Sequence, residues 1–100
     1  MIVDDEMLAR IHIRSMLNWE DLGFRICGEY SDGKQAMENI PLLKPDIVIT
    51  DIKMKYVNGD ELVRFIYQKY PSIKVIVLSS YDDYRYVRDT MKNQAVDYLI

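Results

Sequence analysis

Two short runs of consecutive apolar residues, Ile47-Val48-Ile49-Thr50 and Val75-Ile76-Val77-Leu78, dominate the hydropathy pattern of the chain. Both are rich in β-branched residues, lack polar alternation and are bounded by Pro, Asp or Ser. That pattern predicts strands buried on both faces, as in a parallel sheet. Ile2-Val3, Phe24 to Tyr30 and Tyr98 to Ile100 supply weaker strand candidates, bringing the expected number to five.

Between these segments the apolar spacing becomes helical. Ala9, Ile13, Met16 and Leu17 share one face of a helix expected from near Glu6 to near Trp19, with His12 among them. Ser31-Asp32-Gly33 offers capping chemistry for a second helix carrying Ala36, Met37 and Ile40, with Pro41 and Pro45 expected to close it. A third places Leu62, Val63, Ile66, Tyr67 and Tyr70 on one side, with Pro71 just beyond. A fourth spaces Tyr84, Val87 and Met91 behind the acidic pair Asp82-Asp83, which favours a helix N-terminus. Strand and helix therefore alternate, which predicts an α/β fold: a parallel sheet with right-handed crossovers and helices on both faces. Both ends read as clipped, with only Met1 to Val3 before the first acids and no helix after Ile100.

Composition narrows the classes. One hundred residues, 49% of them apolar, make a single small domain spanning 1–100 with one core. A net charge of -3, with both signs dispersed, leaves no basic stripe, so this unit is not expected to bind DNA or RNA itself. Cys27 has no partner for an internal disulfide, fits a reducing cytoplasm and reads as a small buried strand residue. No segment has the apolar length of a membrane span or the pattern of a signal peptide, so a soluble cytoplasmic protein is expected. His12, on an apolar helical face without another His or a Cys nearby, reads as a partly buried packing residue.

The candidate chemistry lies in acids at strand ends. In open parallel sheets ligands gather outside the carboxyl ends of the strands, at the crevice where connections switch faces. Asp4 and Asp5 follow the first strand and Asp51 follows the third, so a flavodoxin-like strand order 2-1-3-4-5 would set three carboxylates around one crevice. Singly, each reads as an ordinary loop residue. Together they should repel unless a cation enters, and carboxylate oxygens with a backbone carbonyl suit Mg²⁺. Ser79, after the fourth strand, would present a hydroxyl to the same crevice. A carboxylate nucleophile beside Mg²⁺ and a hydroxyl donor can form an acyl phosphate.

Ile2-Val3-Asp4-Asp5-Glu6, Pro45 to Met54, Asn58-Gly59, Leu78-Ser79 and Asp97-Tyr98-Leu99-Ile100, in this order and spacing, resemble the receiver domain of two-component response regulators. The resemblance covers essentially the whole chain. It implies a flavodoxin-like three-layer sandwich in which Asp51 accepts a phosphoryl group from a sensor histidine kinase. Asp4, Asp5 and Asp51 would hold Mg²⁺ with the Lys53 backbone carbonyl, Ser79 would be the switch hydroxyl and Tyr98 the switch aromatic. The protein would be a signalling phosphoacceptor rather than an enzyme. Its signal would leave through the surface near Tyr81, Tyr84 and Tyr86, usually by homodimerisation. Asn18-Trp19-Glu20-Asp21-Leu22-Gly23-Phe24 and Ser79 to Tyr84 resemble the subgroup whose members carry a C-terminal AraC-type helix-turn-helix domain. That implies a transcription regulator touching DNA only through a domain not included in this chain.

Three features depart from the family pattern. The family's lysine beyond the last strand and the fifth helix would lie past Ile100, Lys55 replaces a usual proline, and Gln94 replaces a frequent glycine. Lys53 and Tyr81 occupy positions that in this family flank the entry of attacking water. An aspartate-nucleophile phosphatase of the haloacid-dehalogenase type would need an acid where Lys53 stands. A flavodoxin-type FMN carrier would have Asp4-Asp5-Glu6 repelling its phosphate. A receiver-like interaction module that is never phosphorylated is the remaining alternative.

Overall fold

The computed structural model describes residues 1–54 and 57–78, and the backbone of 97–99. Along the chain these form β1 (Ile2–Val3), α1 (Met7–Met16), β2 (Glu29–Tyr30), α2 (Gly33–Leu43), β3 (Ile47–Asp51), α3 (Gly59–Lys69), β4 (Lys74–Leu78) and β5 (Asp97–Leu99). The four strands β1 to β4 are parallel neighbours in the order β2-β1-β3-β4, and the three-residue backbone segment β5 pairs with the outer edge of β4. This is a flavodoxin-like arrangement of parallel strands and helices. The expected fourth helix lies outside the described residues, as do Lys55, Ser79, Tyr81, Tyr84, Tyr86, Gln94 and the side chain of Tyr98.

From β1 the chain steps outward to β2, then recrosses β1 to reach β3. With right-handed crossovers, this reversal puts α1 on one face and α2 and α3 on the other. The α2–α3 face holds the core. Val3, Val48, Val75 and Val77 from the strands pack with Ala36, Ile40, Leu62, Val63 and Ile66 from the two helices. Each of these is at most 4% exposed, so truncating any one would leave a cavity rather than a rearranged surface.

The opposite face differs from the expectation of strands buried on both sides. Ile47, Ile49 and Ile76 are only half-buried, so β3 and β4 show a period of two in burial that their unbroken apolar sequences conceal. Among the described residues that face carries one helix, where the core face carries two.

Several boundaries shift for identifiable reasons. α1 ends at Met16 and not near Trp19, because the Trp19 indole folds back and donates to the Ile13 carbonyl at 3.1 Å. That oxygen would otherwise accept the next turn of helix. Ile13 is buried, while Met16, Leu17 and His12 are exposed, so His12 is a surface residue and not a packing one. The expected strand over Phe24 to Tyr30 contracts to Glu29–Tyr30, since β1 offers only Ile2–Val3 to pair with it. Cys27 is half-buried and precedes β2.

α2 starts where the capping chemistry places it, with Asp32 Oδ1 accepting from Gln35 N–H at 2.9 Å. Pro41 lies inside its last turn and does not close it. Proline there removes one backbone donor without ending the helix, and the chain turns only at Lys44, which adopts the left-handed conformation at φ 49°. α3 buries Leu62, Val63 and Ile66, whereas Tyr67 faces outward and Tyr70 packs against Phe65 with ring centroids 5.8 Å apart.

Candidate functional site

The acidic cluster follows directly from the sheet register. Val3 of β1 lies opposite Thr50 of β3, so the next residues, Asp4 and Asp51, emerge side by side at the carboxyl ends of adjacent strands. These are the two strands at which the chain reverses direction, where such sheets open a crevice. Asp5 follows on the β1–α1 turn. One carboxylate oxygen from each of Asp4, Asp5 and Asp51 lies within 4.8 Å of the other two.

Asp4 is the deepest of the three, with 6% of its surface exposed, while Asp5 and Asp51 are half-buried. Its backbone N–H donates to the Tyr30 carbonyl at 3.0 Å, and its Oδ1 accepts from the Glu6 N–H at 3.0 Å. Burial pushes the Asp4 carboxyl above its ordinary pKa, with the negative charges of Asp5 and Glu6 acting in the same direction. The Glu6 N–H and the Arg10 cation oppose the shift.

On the β3 side, Asp51 Oδ1 accepts from the N–H of Ile52 at 2.7 Å, and Thr50 Oγ1 donates to the Asp51 carbonyl at 2.9 Å. The loop beyond is held at both ends. Gly59 N–H donates to the Ile52 carbonyl at 2.7 Å, and Asn58 Oδ1 accepts from Met54 N–H at 3.3 Å. Ile52 and Met54 are buried, with exposed Lys53 between them. Gly59 permits this closure: a Cβ built there would overlap the carbonyl oxygen of Asp51 and lie 2.9 Å from Ile52 Cα. The start of α3 can therefore lie against the strand end that carries the central acid only while that position has no side chain.

Hard oxygen donors in such a cluster suit a small divalent cation. Such an ion is bound through oxygen ligands at about 2.1 Å, with waters completing its shell. The structure thus brings together three of the residues singled out in the sequence, Asp4, Asp5 and Asp51, with Lys53 on the adjoining pinned loop. The backbone of Tyr98 lies in β5, next to β4 and separated from β1 by β3 and β4. Arg10 was not among the candidates. Its spacing, one turn into the helix behind the paired acids, was the available signal.

A family model described as the response regulator receiver domain matches residues 1–100. The transcriptional regulatory protein DegU of Brevibacillus brevis is 38% identical over 100 residues, covering the whole of this chain and 42% of the relative. The transcriptional regulatory protein YesN of Bacillus subtilis is 34% identical over 100 residues, again the whole chain, and 27% of the relative. The chain thus spans under half the length of these curated relatives. A crystal structure of a two-component transcriptional regulator AraC from Clostridium phytofermentans superposes with a TM-score of 0.90 at 35% identity, over 98% of this chain and 76% of that one.

Proposed function

The chain belongs to the response regulator receiver domain family, and from that premise we propose that Asp51 is the phosphoacceptor of a two-component signalling protein. The observation that carries this reading is the convergence of Asp4, Asp5 and Asp51 at the reversal point of the sheet. In the proposed reaction an Asp51 carboxylate oxygen attacks the phosphorus of a phosphohistidine on a sensor kinase. The new bond is the acyl phosphate oxygen–phosphorus bond, and the phosphorus–nitrogen bond to the histidine breaks.

Within this reading Asp51 is oriented by the Ile52 N–H on its Oδ1, which fixes the plane of the carboxylate. Asp4, Asp5 and Asp51 are the side-chain ligands of Mg²⁺, and the Lys53 carbonyl, held in the pinned loop, is a fourth donor. Mg²⁺ when bound supplies the positive charge that offsets the incoming phosphoryl oxygens. Ser79 donates its hydroxyl to the phosphoryl group and Tyr98 changes rotamer in response. The sheet is read as the full receiver order 2-1-3-4-5, supported by the β4–β5 pairing.

The domain catalyses only its own phosphorylation and dephosphorylation. Its relatives are named as transcriptional regulators and extend well beyond the length of this chain. The reading therefore includes a C-terminal DNA-binding output domain controlled by homodimerisation of the receiver. No helix among the described residues is long and apolar enough to cross a membrane, and a cytoplasmic protein is proposed.

The test is to incubate the chain, in a form extended past Ile100, with Mg²⁺ and a small acyl-phosphate donor, and to weigh it by mass spectrometry. One added phosphoryl group, absent in Asp51→Asn and absent without Mg²⁺, is expected. An adduct that survives Asp51→Asn would overturn the assignment.

A further inference from the structure

Arg10 lies one turn into α1, where its backbone N–H donates to the Glu6 carbonyl at 3.2 Å. Its guanidinium Nη1 reaches back six residues to donate to the main-chain carbonyl of Asp4 at 2.6 Å in a partly buried setting. A cation near the Asp4 carboxylate would ordinarily pair with it. Here its hydrogen bond goes to a backbone oxygen, and the Asp4 carboxylate bonds instead to the Glu6 N–H.

We propose that Arg10 is a positioning residue that clamps the β1–α1 turn and presets Asp4 and Asp5 for the divalent cation; this deepens the metal-site reading above and rests on it. Asp4 is then fixed at three points: its N–H on Tyr30, its carbonyl on Arg10 and its Oδ1 on Glu6. Without the clamp, repulsion among neighbouring acids drives the turn open, and closing it again must be paid from the binding energy of the metal. The guanidinium charge also opposes the approach of a second cation, whereas the charge-assisted hydrogen bond to the Asp4 carbonyl acts at contact and holds the turn.

The two effects predict opposite signs for one substitution. Mg²⁺ affinity is measured by isothermal titration calorimetry on wild type, Arg10→Met, Arg10→Gln and Arg10→Lys, at a temperature where circular dichroism shows each to be folded. Arg10→Met, which removes both donor and charge, is expected to weaken Mg²⁺ binding about tenfold, the scale of one charge-assisted hydrogen bond. Arg10→Lys, which keeps a charged donor, should recover most of the loss. A merely structural arginine would lower the melting temperature and leave the Mg²⁺ affinity of the folded molecules unchanged. If Arg10→Met does not fold, Arg10→Gln decides, with binding several-fold weaker than wild type expected. Unchanged or tighter binding in the folded neutral variants would overturn the clamp. Wild-type protein that binds no Mg²⁺ would remove the metal reading and the clamp together, whereas wild-type binding with unaltered variants would remove only the clamp.

Discussion

Asp4→Asn should stabilise the metal-free protein at neutral pH, although it removes a residue from the functional site. The substitution deletes one of three facing negative charges and keeps an oxygen able to accept from the Glu6 N–H. Carboxylate oxygens within 4.8 Å of one another repel by about 1 kcal/mol per pair in a water-like dielectric and by a few kcal/mol at an effective dielectric near 20. Asp4 is 6% exposed, so its charge also bears a desolvation cost, offset in part by Arg10. The expected net gain is about 1–3 kcal/mol, and a domain of this size shifts in melting temperature by about 4–8 °C per kcal/mol.

The pH dependence gives a second readout. Burial first, then Asp5 and Glu6, raise the folded-state pKa of Asp4 above 3.8, so near that pH the folded protein holds a proton the unfolded chain has released. Stability then falls as pH rises from 3.8 through the folded pKa. The advantage of Asp4→Asn should therefore appear above that window and vanish below it. Saturating Mg²⁺ should narrow or reverse the gap, since a ligand at 100 times its Kd stabilises by about 2.7 kcal/mol and the variant has lost a ligating carboxylate. Thermal unfolding followed by circular dichroism, with and without Mg²⁺ and across acid pH, measures all three. A variant less stable than wild type without Mg²⁺, or one whose advantage persists unchanged below pH 3.8, would refute the reasoning.

Gly59→Ala drives a Cβ into the Asp51 carbonyl at the first position of α3, so a net loss of about 1–3 kcal/mol is expected in urea unfolding, with slower labelling of Asp51 by an acyl-phosphate donor. A more stable Gly59→Ala would mean that the loop relaxes freely. Lys44→Gly relieves a left-handed residue at the end of α2 and should raise stability by up to about 1 kcal/mol in the same assay, with Mg²⁺ affinity unaltered. Leu62→Ala, in the fully buried core of α3, should cost about 2–5 kcal/mol while the remaining folded protein binds Mg²⁺ as wild type does; calorimetry below the melting temperature separates the two effects.

Much of this organisation was legible locally. The runs at Ile47–Thr50 and Val75–Leu78 marked β3 and β4, the Asp32 cap marked the start of α2, and the spacing of Leu62, Val63 and Ile66 marked the buried side of α3. These signals lie within a few residues of one another, where backbone periodicity dictates which side chains share a face. Other features had no local signature. The end of α1 depends on an indole returning from outside the helix, and the exposure of His12 depends on which faces are covered. Pro41 was misread as a terminator because the burial of Ala36 and Ile40, which holds the helix through the proline, is a tertiary effect.

The acidic site divides in the same way. By itself the sequence determined that Asp4, Asp5 and Asp51 stand at the carboxyl ends of strands, because strand identity and chain direction are encoded in neighbouring residues. Only the tertiary structure decided that Val3 lies against Thr50, which sets Asp4 beside Asp51, that Asp4 is the buried member, and that Arg10 holds the turn by its carbonyl. Register, burial and side-chain reach depend on segments far apart in the chain packing simultaneously, and no window of neighbouring residues contains that information.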